Sequence, residues 1–230
     1  MFASKLRFVS SALGFMALTA ASALATADTP TSVDVLFERR HLANVEQGQK
    51  IVYRFQRSVS DPKYLGEPFS DDIDLTVQKI ADNGTRDISM QVFHGERARP
   101  IESLPDMTGN PILIFFLDRA VNNITALAGG NRMYFKGKFR DGIRDKSKIE
   151  PVKVDYAGGK VDGFKITVSP FEGDPNALRM LGYEGARFSF TISDNVPGQF
   201  VEFTQHFESP VPDSPKLDEL ITLAKVEKKP

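Results

Sequence analysis

The residues whose types could ligate a metal or move a proton are few. They are three histidines, His41, His94 and His206, and the acidic run Asp71, Asp72 and Asp74. The histidines fall in widely separated strand or loop segments, where single imidazoles are more often ordinary surface or core residues than members of a metal shell. The aspartates lack the ligand spacing and the glycine of a calcium loop, so they read as the solvated start of a strand. There is no Gly-x-Ser-x-Gly elbow, no His-Glu-x-x-His, no P-loop and no dinucleotide fingerprint. The sequence therefore supplies no catalytic residue, no metal site and no cofactor site, and it argues against an enzyme.

Two other groups of residues carry more information. From Arg132 to Lys148 seven basic side chains stand against Asp141 and Asp145, a local net of +5 in a chain of formal net charge −1. Within it Lys136, Arg140 and Arg144 share one side of a helical pattern, so they are candidates for contact with an anionic membrane surface or an acidic partner. Taken whole, the near-neutral balance excludes a general nucleic-acid binder. The second group is apolar. The chain has 18 phenylalanines and no tryptophan, more aromatic bulk than a compact core needs. Phe115, Phe116, Met180, Leu181, Phe190 and Phe203 are the candidate contacts for an acyl chain or other apolar ligand.

Residues 1–27 read as a cleaved secretory leader, with Lys5 and Arg7 before the apolar run Phe8 to Leu18, and small-x-small sites ending at Ala27. Its removal leaves 203 residues as one β-rich domain, 28–230, and lowers the charge to 27 basic against 30 acidic residues, a net of −3. The chain has no cysteine, so neither disulfides nor an acylated N-terminal cysteine is available, and its stability must come from an ordinary core. The expectation is a soluble periplasmic monomer.

Those residues have to be positioned by a central helix and a set of strands. Asn110 and Pro111 mark a helix start, Ile112 to Leu117 are all apolar, and Gly129-Gly130 ends the segment. Leu117, Ala120, Val121, Ile124, Leu127 and Ala128 continue one stripe, which requires an enclosing surface. A second, amphipathic helix is expected from Arg132 to about Lys146, with Phe135, Phe139 and Ile143 inward and with Gly137 and Gly142 weakening it. Strict alternation predicts strands around Ile51-Tyr53-Phe55, Ile73-Leu75-Val77 and Ile88-Met90-Val92, then around Val152 to Tyr156, Phe164 to Val168, Phe188 to Ile192 and Phe200 to Phe207. Residues 33–45 read as irregular or one short helix, 95–109 as a connection, 170–185 as a long loop, and 217–226 as an edge strand or short helix, with strand the better reading.

Eight to ten antiparallel strands with one apolar face and only two helices to cover them are best served by a strongly curved sheet, a half-barrel wrapping the apolar helix. A two-sheet sandwich is the rival. The segments Asn110-Pro111, Phe116-Leu117-Asp118-Arg119, Gly129-Gly130-Asn131-Arg132, Pro170-Phe171 and Val196-Pro197-Gly198 together resemble an exported family of Gram-negative bacteria that has no assigned activity. In element order alone, the architecture also resembles the half-barrels of periplasmic carriers of outer-membrane lipoproteins. That second likeness implies a fold and an apolar ligand class, and it transfers no residue's role. Two functions follow as expectations: a periplasmic carrier for an acyl chain, lipid or lipoprotein, or a structural envelope protein whose concavity is filled by its own helix.

Overall fold

A computed structural model describes residues 29–228, so the expected leader lies outside the described residues. After a π-helical turn at Asp34–Glu38 come β1 (Lys50–Val59), the single helical turn α1 (Pro62–Leu65), β2 (Phe69–Ile80), β3 (Arg86–Val92) and β4 (Glu102–Met107). The helices α2 (Ile112–Ala128) and α3 (Arg132–Asp145) follow. The chain then completes β5 (Lys148–Tyr156), β6 (Gly159–Val168), β7 (Arg187–Ile192), β8 (Phe200–Phe207) and β9 (Leu217–Glu227). All nine strands form one antiparallel sheet, in the order β4-β3-β2-β1-β9-β8-β7-β6-β5, with β4 and β5 as its unpaired edges. The sandwich is thereby excluded and the curved, unclosed sheet stands.

Alternation is what aims the apolar side chains. Ile51, Tyr53 and Phe55 of β1 lie opposite Leu75, Ile73 and Asp71 of β2, and Leu75 and Ile73 in turn lie opposite Met90 and Val92 of β3. On the other half, Phe190 lies opposite both Ile166 and Phe203, and Phe203 lies opposite Ile221. Apart from the half-buried Asp71, these side chains are buried and form the inner face. The connection from β4 to β5 must pass from one sheet edge to the other. A flat nine-stranded sheet is about 38 Å wide. The 17 residues of α2 span only about 26 Å, so the two-helix crossover fits inside a curled sheet better than over a flat one.

The start of α2 follows the sequence reading closely. Pro111 has helical dihedrals, and the Asn110 side-chain oxygen accepts from the Ile112 N–H at 3.1 Å. Asn110 also donates to the Tyr53 hydroxyl and the Gly198 carbonyl, each at 2.9 Å, which fixes the helix entry to β1 and to the turn before β8. In α3, Phe139 packs edge-on to Phe188 with ring centroids 4.6 Å apart, and Phe135 and Phe139 flank Phe171. Gly142 is no defect in that helix. A β-carbon there would lie 2.8 Å from Pro170, so glycine is what allows α3 to seat against the start of the long loop.

Two expectations are corrected. Residues 95–109 are not merely a connection, because 102–107 form β4. Pro105 and the lack of alternation conceal it, and both are tolerated because it is an edge strand with a register shift opposite Arg86 and Ile88. Residues 217–227 form a strand as expected but not an edge: β9 lies at the middle of the sheet, paired with β1 on one side and β8 on the other. The three-strand meander expected at the N-terminal half is in fact four strands, and the C-terminal half contributes five.

Candidate functional site

The helical hairpin leaves an apolar groove on its outer side. Ile114, Leu117 and Val121 recur along one stripe of α2, Phe139 and Ile143 along the facing stripe of α3, and Val33 and Phe37 of the N-terminal turn close one side. The groove encloses about 510 Å³, within the range of small-molecule sites. Phe37 is 43% exposed and Ile114 60% exposed, although both line it. Lys136, Arg140 and Arg144 stand at its rim beside Asp118. Arg144 is engaged by Asp145 at 2.7 Å and Asp141 at 3.3 Å. Lys136 is 3.9 Å from Asp118, which is held more closely by Arg132 at 3.0 Å. Hydrogen bonding from Arg144 lowers the pKa of Asp145, and the same contact raises that of Arg144.

Ile114 and Asp118 also border a second cavity of about 340 Å³ between the sheet and α2. Its walls include Met90 of β3, Leu104 of β4 and Phe115, with Arg99 and Arg119 as its cations. The two cavities share Ile114 and Asp118 as lining residues, and the walls of the second also carry Arg99, Glu102, Arg119 and Asn122.

Arg119 belongs to a polar cluster that the sequence reading did not find. Arg57 of β1, Glu219 of β9 and Gln205 of β8 lie side by side in register on the inner face. Glu219 is fully enclosed; it accepts from Arg57, from Arg119 Nε at 2.8 Å and from Gln205 at 2.6 Å. Asn123, one turn beyond Arg119, accepts from Arg57 at 3.2 Å and donates to Gln205 at 3.1 Å. The Arg119 guanidinium lies over the Phe55 ring, 4.7 Å from its centroid. Each strand carries one polar residue in an otherwise inward apolar register, a signal present in the sequence only when the three strands are aligned with one another.

The six expected apolar contacts are divided. Phe116, Phe190 and Phe203 come together, with centroids 5.0 to 5.9 Å apart, and are completely enclosed. A ligand reaching them would have to displace α2 from the sheet. Phe115 lies beside Phe55 and Phe93 in the sheet-side cavity. Met180 is buried, whereas Leu181, at a φ of 53°, is 57% exposed. The loop that carries them is tied down: Ser209 donates to the Leu181 carbonyl at 2.7 Å, and Tyr183 donates to the Pro215 carbonyl at 2.6 Å. Asp174 anchors its start. Burial opposes its ionisation, but hydrogen bonds from Lys138, Tyr134 and the Asn176 N–H hold its carboxyl below the usual range.

The histidines remain apart. His41 is buried, its Nε2 2.9 Å from the Val35 carbonyl and its Nδ1 accepting from the Asn110 N–H. Burial keeps its pKa below the ordinary histidine value. His94 is 3.6 Å from Asp74, and His206 is 2.6 Å from Asp218. Among the described residues no three histidine, aspartate or glutamate side chains converge on one point, and no helix is long and apolar enough to cross a membrane.

No family model matches the chain, and no curated protein matches it. Solved structures do align over most of its length. The lipoprotein LppX of Mycobacterium tuberculosis is 12% identical over 86% of this chain and 94% of its own, with a TM-score of 0.33. A LolA superfamily protein of Nitrosomonas europaea is 8% identical over 88% of this chain and 95% of its own, with a TM-score of 0.23. A structure of lipid–protein interactions in lipovitellin aligns over 80% of this chain but only 26% of its own, at 8% identity and a TM-score of 0.27. Likenesses this low carry no argument about this chain's function, which has to be made from its own side chains.

Proposed function

We propose that the protein is an exported, periplasmic carrier that works as a single chain and holds an amphiphile. Its acyl chain lies in the groove between α2 and α3, and its anionic head meets Lys136, Arg140 and Arg144. The observation that carries this reading is the pairing of an apolar groove with a cationic rim, in which Phe37 and Ile114 remain exposed in the absence of a cover. Exposed apolar residues scattered singly need no explanation, but two on the walls of one groove favour an apolar occupant. The sheet-side cavity at Phe115 offers the tail a continuation past Ile114. Met180 and Leu181 do not line this groove, and the loop that carries them is tied to Ser209 and Pro215.

A second reading has its own support: Phe116, Phe190 and Phe203 are fully enclosed between α2 and the sheet, as a structural envelope protein plugged by its own helix requires. One experiment separates the two. Organic extraction of the purified protein with mass spectrometry, together with titration by a fluorescent fatty acid, should yield a bound amphiphile and saturable binding for a carrier. Neither would be found for a plugged structural protein.

A further inference from the structure

The basic run after α2 does not serve one surface. Lys136, Arg140 and Arg144 face the groove, Lys138 turns to Asp174 at 2.8 Å, and Lys146 and Lys148 point to a separate cavity of about 690 Å³. This cavity crosses β5 to β8, lined mainly by the polar positions that alternate with the buried Ile166, Val168 and Phe188, with Val168 and Phe188 also bordering it. Lys148, Thr167, Ser189 and Thr204 form one cross-strand row in register, and Arg187 lies opposite His206 in the row beside it. Lys165 is two residues from Thr167 on the same side of β6. With strands about 4.8 Å apart and alternate residues about 7 Å apart, Lys148, Lys165 and Arg187 surround the Thr167–Ser189 pair within roughly two strand spacings.

Few of these charges are paired within ion-pair distance, although Glu150 lies opposite Lys165 in register. Among the described residues His206 alone of these basic groups has carboxylate partners, Asp218 at 2.6 Å and Glu208 at 3.3 Å. Lys146 donates to the backbone carbonyl of Glu172 at 2.6 Å, and Glu172 is the cavity's one acidic lining residue. The floor supplies hydroxyls: Ser189, itself buried, is 2.6 Å from the Thr204 hydroxyl, and Thr167 lies alongside. A protein of net negative charge that gathers four cations and three hydroxyl groups in one recess has built a receptor for concentrated negative charge. A single carboxylate is satisfied by one guanidinium or ammonium. Four cations around a hydroxyl floor suit tetrahedral oxyanions, which accept many hydrogen bonds and can bind a guanidinium through two oxygens.

We infer that this cavity binds a ligand carrying two or more phosphate groups close together, either free or on the headgroup of an amphiphile. The site is separate from the apolar groove and does not depend on it.

The test is calorimetric titration of the full chain with tripolyphosphate and with orthophosphate, at about 50 and 200 mM salt, where exposed charges are progressively screened. Wild type is expected to bind tripolyphosphate at least tenfold more tightly than orthophosphate, and to lose affinity as salt rises. The triple variant K148Q/K165Q/R187Q should lose about 30-fold or more in tripolyphosphate affinity. A control of equal charge change, K63Q/K79Q/K225Q, should lose less than threefold. The melting temperature of each ligand-free variant should stay within about 2 °C of wild type, because the replaced side chains bury little. Absence of tripolyphosphate binding, equal loss in the control, or no loss in the triple variant overturns the inference. A second arm finds the source. Sedimentation with phosphatidylcholine vesicles containing cardiolipin, whose headgroup carries two phosphates, sensitive to the triple variant, assigns a lipid headgroup; tripolyphosphate binding without such sedimentation assigns a soluble ligand.

Discussion

The groove makes a quantitative demand on Phe37 and Ile114. If an acyl chain covers them, it removes from water the parts that are now exposed, 43% of the phenylalanine and 60% of the isoleucine. Full burial of either side chain is worth about 2 kcal/mol, so covering these fractions contributes about 0.9 and 1.2 kcal/mol. The double variant F37A/I114A should therefore weaken binding of a fluorescent fatty acid by about 2 kcal/mol, roughly 30-fold in Kd. The change at 114 should cost folding little, because most of that side chain faces water and alanine favours the helix; Phe37 is more than half buried, so F37A should lower the thermal midpoint modestly. The assay is fluorescence titration, with the thermal midpoint of the same samples as the control. A Kd within threefold of wild type in a normally folded variant would refute the groove as the acyl site. A parallel change at Phe115 tells whether the tail continues into the sheet-side cavity: F115A should then shorten the optimal chain length without abolishing binding.

Four further outcomes follow from the buried groups. Glu219→Gln should destabilise the protein by about 3–5 kcal/mol, since it leaves Arg57 and Arg119 enclosed without their carboxylate; a chain of this size should then melt about 6–20 °C lower. Ile124→Asp should prevent folding, because Ile124 is fully buried and a carboxylate there has no partner in the core; normal thermal unfolding would place α2 at the periphery. In the long loop, Leu178→Ser should leave the melting temperature unchanged, the side chain being 99% exposed, while Met180→Asp should lower it markedly; equal effects would contradict the static loop. The last concerns pH. The folded pKa of His41 lies below the unfolded value near 6.5, so unfolded chains bind the extra proton first. Its contribution is complete above about pH 6.5 and is lost as pH falls toward the folded value, so denaturant midpoints should fall in that window for wild type and less steeply for His41→Gln.

The legible parts of this fold were those written in local periodicity. The helix from Pro111 to Ala128 combined a cap, a proline and an unbroken apolar start, and seven strands alternated cleanly. What the sequence hid depended on neighbours. Residues 102–107 pair as an edge strand despite Pro105, because an edge requires hydrogen bonds on one side only. Residues 217–227 looked peripheral because they end the chain, yet they pair on both sides, and only a partner's register reveals that. The candidate site divided in the same way. Lys136, Arg140 and Arg144 share a helix face by spacing alone, so local pattern finds them. The exposed Phe37 and Ile114 come from segments 77 positions apart in the chain, and no window of sequence brings them together. Phe116, Phe190 and Phe203 pack against one another because the interior of a curled sheet has to be filled.

The polar cluster has a role that stability alone does not explain. Each half of the sheet is a meander of neighbouring hairpins, easily formed from nearby segments. The seam between β1 and β9 is different: it joins Arg57 to Glu219 across 162 residues, and such pairings bear most of the loop-closure cost. A one-residue slip along that seam would turn Glu219 outward and bring Asp218 or Leu220 to face Arg57 and Arg119. A buried charge is a poor source of net stability but an effective penalty on wrong registers. Replacing Arg57, Glu219 and Arg119 together with apolar residues of similar volume should then cost little stability while broadening the native state, whereas Glu219→Gln alone should be severe. Because Arg119 and Asn123 bind the same carboxylate and amide, α2 is fastened to the midline of the sheet at the moment the seam closes. The groove wall that bears Ile114 and Leu117 is set by that closure, and the opposite wall is set by Phe135, Phe139 and Ile143 of α3.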